Sequence, residues 1–171
     1  MYTVLRTIFI VSAMLAGCIF GFFYTWSFVV MRGLSAAEAP VAIAAMQSVN
    51  ATIMTPWFAL IFFGTPVATG FAALAAWAAG ARGAALWMAA ATVAYMIGCF
   101  AVTVLANIPM NEALAAVDAA TVADAAGTWI GYAGPWTAWN HVRTAACAGG
   151  LLCTLLALRA LEGTGRTAGS H

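Results

Sequence analysis

Four long apolar runs, separated by more polar segments, organise the chain. They extend over about 5–31, 53–79, 84–106 and 136–161. Roughly 20 apolar residues cross the hydrocarbon core of a bilayer as a helix, so each run is long enough to span a membrane. The first run is also too long for the apolar core of a typical signal peptide, and we interpret it as a retained helix. The pattern predicts an all-α fold: an integral membrane four-helix bundle with short helices in its two longer connections.

The first two connections differ in length. Residues 80–83 carry two glycines and predict a tight turn. In the longer connection at 33–52, Ser35 lies three residues before Glu38, which is the spacing of a capping box, and Pro40 suits a first helical turn. We therefore expect a short amphipathic helix that leads into the second span.

The connection between the third and fourth runs contains two prolines. Pro109 lacks an amide hydrogen and disfavours a helical residue before it, so the third span is expected to end or kink near Asn107. Short helices are predicted at 110–117 and 119–129, and Pro135 is expected to begin the last span.

Composition supports membrane insertion. Of the 171 residues, 65% are hydrophobic and 6% charged, and the mean hydropathy is +0.98. The net charge of +1 offers no basic patch for nucleic acid. The bundle is expected to form one domain over 1–163, with a flexible tail at 164–171.

The arginines indicate an orientation. With the N-terminus in the cytoplasm, Arg6, Arg82, Arg159 and Arg166 lie inside, and Arg32 and Arg143 lie outside. We expect both termini to face the cytoplasm of a bacterial inner membrane, which places the two longer connections on the outer side.

Small residues recur at every fourth position in all four runs. Such stripes let helices approach closely in lipid, and one stripe also suits a homo-oligomer interface. The stripes contain Gly17 and Gly21; Gly64, Ala68, Ala72 and Ala76; Ala90, Ala94 and Gly98; and Ala145, Ala146, Gly149 and Gly150.

The cysteines give no sign of a metal or redox centre. Cys18, Cys99, Cys147 and Cys153 lie within apolar runs and form neither a CxxC motif nor a cysteine–histidine cluster. They are expected to be small packed side chains, and no metal site is predicted.

A group of polar residues stands out at the start of the last run. Trp136, Trp139, Asn140 and Arg143 fall on one helix face, and His141 lies about 100° away from Asn140. An ionisable group at this depth usually faces the bundle interior and finds a partner. Glu112 is the expected partner of Arg143. A polar pocket at the outer end is then completed by Asn50, Asn107, Asn111, Asn140 and His141.

Each of these residues also has an ordinary explanation. Arg143 can extend to lipid headgroups, Trp136 and Trp139 can belong to an aromatic belt, and His141 can be a simple interfacial residue. Their convergence on one end of one bundle favours a functional pocket.

Three stretches resemble one family of membrane proteins. "NIPMNEAL" at 107–114 followed by "WTAWNHVRT" at 136–144 resembles the paired signature of the anthrone oxygenase family, and "MQSVNATIMTPWFALIFFG" at 46–64 resembles the start of its second helix. The resemblance extends over about 22–158. It implies a small four-span membrane protein.

The resemblance also implies a reaction. Fungal members are linked to oxidation of an anthrone to an anthraquinone by molecular oxygen, without a metal or flavin, so no cofactor is expected. Glu112 or His141 would act as the base and Arg143 would stabilise the oxyanion. The substrate would be a flat, lipid-soluble aromatic molecule of the anthrone, phenol or quinone type. It would be oriented by Asn50, Asn107, Asn111 and Asn140 and walled by Trp136 and Trp139.

The main alternative is a non-enzymatic membrane bundle that binds a lipid or a partner protein, with a purely structural polar cluster. A roomy outer pocket would favour a ligand, whereas a pocket filled by its own side chains would favour the structural role. A transporter is least favoured, because no ionisable residue lies near the middle of a span.

Overall fold

The computed structural model describes the backbone of residues 2–168 and the side chains of residues 2–163. The described chain folds into five helices and contains no strand. The helices are α1 (Tyr2–Ser35), α2 (Ala39–Thr52), α3 (Pro56–Ala78), α4 (Arg82–Ala115) and α5 (Ala125–Ala168). Four of them, all except α2, are long and apolar enough to cross a membrane. The all-α membrane bundle is therefore confirmed. A flexible tail was predicted at 164–171. All of its side chains, and the backbone of residues 169–171, lie outside the described part.

The four spans run alternately up and down, which brings both ends of the described chain together. Arg6 Nε on α1 lies 3.9 Å from Glu162 Oε1 on α5. The core beside them joins Leu5 and Leu161 to Ala81, which lies in the turn between α3 and α4. The opposite end of the bundle, called here the distal end, contains α2, the end of α4 and the start of α5.

The tight turn is confirmed, but the expected capping box is wrong. Gly80, in the α3–α4 turn, has a φ of 79°, a left-handed conformation that glycine adopts at little cost. Ser35 ends α1, and its hydroxyl accepts a hydrogen bond of 3.2 Å from Trp129 Nε1. Glu38 stands at the N-cap of α2 without a capping hydrogen bond from its side chain, and Pro40 lies in the first turn as expected.

The third span was expected to end or kink near Asn107; it does not end there, because α4 continues through Pro109 to Ala115. The five residues Thr103–Asn107 form a π-helical turn just before the proline. In a regular helix, the ring of Pro109 would clash with the carbonyl of Leu105, four residues earlier. The wider turn includes Leu105 and avoids this clash. The predicted fresh helix at 110–117 is therefore the last part of a continuous span.

The last span begins earlier than predicted. Helix α5 starts at Ala125 and includes Pro135 in its interior; membrane helices tolerate such prolines where neighbouring groups satisfy the freed backbone. Its first turn is capped by Asp124, whose Oδ1 accepts from the amide of Gly127 at 2.8 Å.

The helix predicted at 119–129 is wrong over its first half. Residues 116–124 form turns that Asp118 organises through hydrogen bonds from the Thr121 hydroxyl (2.8 Å) and the Ala120 amide (2.9 Å). The same bonds, that from Thr121 first, hold the pKa of Asp118 below its usual value.

Small residues mark the closest helix contacts in three of the spans. A β-carbon added at Gly98 on α4 would collide with that of Ala146 on α5, and one added at Gly150 would lie 3.6 Å from the Ala91 carbonyl. Ala72 of α3 is fully buried. In the first span the stripe makes no close contact within the chain, because β-carbons at the two glycines 17 and 21 would meet open space.

Candidate functional site

A pocket of about 480 Å³ lies at the distal end, among all five helices. This volume is within the range of small-molecule sites. Eight of its 21 lining residues are aromatic, and these come from α1, α3, α4 and α5. The aromatic residues are Phe22, Phe23, Trp26, Phe58, Phe62, Phe63, Phe100 and Trp136.

Three π-helical stretches supply residues to this pocket. They lie at Trp26–Val30 on α1 and at Met96–Ala101 and Thr103–Asn107 on α4. Trp26, Phe100 and Thr103, one from each stretch, line the cavity. Single π turns within α-helices are frequent at functional sites, because they move side chains out of the regular helical register.

Arg143 is the buried charge of the pocket, with a residue exposure of 5%. Its guanidinium carbon lies 4.6 Å from the ring centroid of Phe23 and 5.1 Å from that of Trp136, so the cation is held between two aromatic rings. Nη1 donates a long bond of 3.3 Å to the hydroxyl of Thr103. The inward orientation predicted for Arg143 is confirmed.

The guanidinium is otherwise unsatisfied. Nε and Nη2 are buried without a hydrogen-bond partner among the described residues. The expected ion pair with Glu112 is absent: both residues line the pocket, but no carboxylate in the described chain lies within 4.0 Å of Arg143. Glu112 is exposed, one turn beyond Ile108 on the same face of α4.

Two asparagines of α4 hold Trp136, one by its indole and one by its backbone carbonyl. Asn111 Oδ1 accepts from Trp136 Nε1 at 2.8 Å and from the Tyr132 hydroxyl at 2.9 Å. Asn107 Nδ2 donates to the Trp136 carbonyl at 3.3 Å. Asn107 is buried behind the pocket wall and Asn111 lines the pocket. The polar end of α4 therefore positions the aromatic wall contributed by α5.

Asn140 ties α5 to the π-helical part of α1. Its Nδ2 donates to the Phe23 carbonyl at 2.9 Å and to Ser27 Oγ at 2.8 Å, and Ser27 also lies 3.0 Å from the hydroxyl of Thr144. Asn140 is fully buried and does not line the pocket. Its bonds hold Phe23, one of the two rings against Arg143.

Helix α2 forms the pocket wall at the distal end. Asn50 lines the cavity as predicted. Gln47 lines it too, and its Nε2 donates two bonds of 2.8 Å to the carbonyls of Leu114 and Val117. Leu114 lies in the last turn of α4, where its carbonyl also accepts from the Val117 amide at 3.1 Å, and Val117 lies just beyond the helix. Gln47 thus joins α2 to α4 across the top of the pocket.

Two predicted residues neither line the pocket nor bond to residues that line it. Trp139 is 45% exposed and faces away from it. His141 stacks at 5.1 Å on Phe28 and lines a separate open groove between α1 and α5, together with Arg32. The structure therefore brings Asn50, Asn111, Glu112, Trp136 and Arg143 together, supports them with Asn107 and Asn140, and separates Trp139 and His141 from them.

Sequence reasoning missed most of the aromatic wall and two polar residues. Phenylalanines such as Phe58 and Phe62 lie within apolar runs, where lipid-facing and pocket-facing rings give the same pattern. Thr103 had a usable signal, because it precedes Asn107 by four residues and shares its helix face. Gln47 lies in the short helix predicted within 33–52, but it was not among the predicted pocket residues.

The described residues contain no group of three or more histidine, cysteine or acidic side chains placed to hold a metal ion. All four cysteines are unpaired thiols, and Cys99 and Cys147 are buried.

Comparison with known proteins gives one family. The family model described as anthrone oxygenase matches residues 54–153, more than half of the chain. The match includes the pocket residues of α3, α4 and α5. No curated protein and no solved structure matches the chain.

Proposed function

Because the chain belongs to the anthrone oxygenase family, we propose that its distal pocket binds a flat, lipid-soluble aromatic molecule of the anthrone, phenol or quinone type and oxidises it with molecular oxygen. The family and the membrane-spanning fold are the premises. The substrate class and the roles below are the proposal.

The observation that carries the proposal is the unpaired guanidinium of Arg143 beside an aromatic cavity. A buried cation without a carboxylate is costly. An anion bound in the pocket would offset that cost. Rings stacked against the aromatic walls would supply the binding energy, and the charge would favour the ligand in its deprotonated form.

The chemistry follows from these two features. Glu112, which also lines the pocket, removes a proton from the acidic CH2 group of the substrate, and the negative charge spreads onto the ring oxygen near Arg143. The electron-rich carbon then reacts with oxygen. The resulting peroxide takes the proton back from Glu112. Loss of the second C–H proton breaks the O–O bond and releases water, so that one CH2 group and one O2 become one C=O group and one H2O.

The test is the rate of anthraquinone formation by the purified protein in liposomes, with an anthrone under oxygen. We expect the wild type to exceed the spontaneous rate, and Arg143→Gln and Glu112→Gln each to lower it about a hundredfold. Arg32→Gln and Asp118→Asn remove the same charges from exposed positions outside the pocket, and they should leave the rate unchanged.

Equal rates for wild type and Arg143→Gln would overturn the proposal, as would a wild-type rate no higher than the spontaneous one. A His141→Ala variant tests the second candidate base. Because His141 lies in a different groove, its removal should not slow the reaction.

A second candidate is a bundle that binds a lipid or a partner protein without chemistry. It is favoured by one observation: Asn107 and Asn140 donate to backbone carbonyls of neighbouring helices, which is a structural use of the amides. This candidate predicts no anthraquinone formation above the spontaneous rate. A ligand that enters the pocket would still quench tryptophan fluorescence.

The arginine distribution supports a location for the pocket. With both termini in the cytoplasm of a bacterial inner membrane, the distal end faces outward and Arg6, Arg82 and Arg159 face inward. Labelling of a Thr52→Cys variant in intact cells by a membrane-impermeant thiol reagent tests this orientation, since residue 52 would then be reached without lysis. Labelling only after lysis would reverse it.

A further inference from the structure

The distal pocket is open along one side, where all of the exposed lining residues except Glu112 are apolar. Its exposed lining residues on α4 are Val104 and Ile108, followed by Glu112 and Ala115. They form one stripe along the helix. The exposed lining residues opposite are Ala51 at the end of α2, Met54 in the α2–α3 junction and Phe63 on α3. This opening is called the slot.

The slot extends far below the membrane surface. Along a helix, Ala115 and Val104 are separated by a rise of about 16 Å. Trp57, 79% exposed in the first turn of α3, suits the membrane interface, where tryptophan is enriched. Phe63 lies six residues further along, about 9 Å deeper. The lower part of the slot therefore opens within the hydrocarbon, and Glu112 lies in its upper part.

The other side of the pocket, below α2, is closed. Ala42, Ile43 and Met46 of α2 are fully buried in a cluster that includes Leu114 and Trp136. Gln47 adds its two hydrogen bonds to the end of α4. Moving α2 aside would expose this apolar surface and remove the hydrogen bond from Gln47 to the Val117 carbonyl, which has no other donor among the described residues. A lateral opening requires neither change.

We propose that the pocket takes up its ligand sideways from the bilayer, through the slot between α4 and the α2–α3 junction. The proposal rests on the proposed function for the identity of the ligand, a hydrophobic aromatic molecule already dissolved in the membrane. Such a molecule would pass Val104 and Ile108 without entering water, and would reach Glu112 and Arg143 from the apolar side.

Access can be measured without the reaction. In a Cys18→Ala/Cys153→Ala background, Phe22→Cys places a thiol on the pocket wall of α1, which does not border the slot. The full-length protein in liposomes is treated with N-(1-pyrenyl)maleimide, which partitions into lipid, or with a charged, membrane-impermeant methanethiosulfonate. For each reagent, the labelling rate at residue 22 is divided by its rate at Thr52→Cys. We expect this ratio to be about tenfold higher for the pyrene reagent than for the charged reagent.

A matched pair of variants tests the slot itself. Val104→Trp narrows it, whereas Leu105→Trp puts the same side chain on a neighbouring position that is 77% exposed and does not line the pocket. We expect Val104→Trp to slow pyrene labelling about tenfold and Leu105→Trp to leave it unchanged. Val104→Ala should speed pyrene labelling. This variant tests the slot without placing a large side chain at residue 104.

Three outcomes would overturn lateral access. They are equal pyrene labelling of Val104→Trp and Leu105→Trp, no acceleration in Val104→Ala, and labelling of residue 22 by the charged reagent at the Thr52→Cys rate. The background without Phe22→Cys corrects for reaction at Cys99 and Cys147. Since no substrate is used, the result is independent of whether anthrone oxidation is found.

Discussion

The indole nitrogen of Trp136 donates a 2.8 Å hydrogen bond to Asn111 Oδ1, across a separation of 25 residues. The same oxygen accepts from the Tyr132 hydroxyl. One amide oxygen therefore fixes two aromatic side chains of α5, and one of these forms a wall of the pocket and a ring against Arg143.

Asn111→Ala should destabilise the protein by about 1–3 kcal/mol, because it leaves two buried donors without an acceptor. Asn111→Asp keeps the acceptor oxygen and should retain most of the stability. Both can be compared by the melting temperature in detergent, with Trp136 fluorescence as a second readout. Equal melting temperatures for Asn111→Ala and the wild type would show that the bond carries little energy.

Arg143→Met should leave stability unchanged or raise it, although the residue is buried. Methionine fills similar volume, and the substitution removes a desolvated charge that has no carboxylate partner. Binding of an anionic ligand should be lost at the same time. The measurements are the melting temperature and quenching by a hydroxyanthraquinone, whose phenol ionises. A fall of several degrees in the melting temperature would indicate that Arg143 is mainly structural.

Asn140→Ala should cost about 1–2 kcal/mol, in the range of interhelical hydrogen bonds within membranes. It removes the bonds to the Phe23 carbonyl and to Ser27. A double-mutant cycle with Ser27→Ala should give a coupling energy above about 0.5 kcal/mol. The neighbouring Trp139→Ala, at a half-exposed position, should change stability by less than about 0.5 kcal/mol. If the effects of Asn140→Ala and Ser27→Ala on the free energy of unfolding simply add, the two side chains are not directly coupled.

Gly98→Ala should destabilise by about 1–3 kcal/mol through overpacking, since its β-carbon would collide with that of Ala146. Adding Ala146→Gly should recover much of the loss. At Gly149, where an added β-carbon meets open space, alanine should be neutral or slightly stabilising. Unfolding in detergent measures the three variants against the wild type. Equal stabilities of Gly98→Ala and Gly149→Ala would show that the close contact between α4 and α5 does not limit side-chain size at residue 98.

The spans and the polar cluster were predictable, because hydropathy and helical spacing are local properties. The inward orientation of Arg143 followed from the cost of exposing a charge to lipid. The partner of Arg143 was not predictable. A single helix face shows which residues point together, but the distance to Glu112 depends on how α4 and α5 are placed against each other.

The prolines show where local rules failed. Both Pro109 and Pro135 break a helix in isolation, and both lie inside continuous spans here. A membrane leaves no water to satisfy a broken backbone, so the helix continues and the freed groups are accommodated within the bundle. The aromatic wall was missed for a different reason, since a ring facing a cavity and a ring facing lipid are both apolar.

The π turn at Thr103–Asn107 has a consequence for how α4 can vary. Such a turn holds one residue more than the regular helix would need. Deleting a single residue there would restore the regular α-helix with the later positions on nearly the same faces, because the wider turn had absorbed that residue. Deleting a residue from a regular α-helical part of α4 would instead rotate every later position by about 100° and turn Asn111 away from Trp136. The length of α4 can therefore vary by one residue at this turn but not in its regular parts.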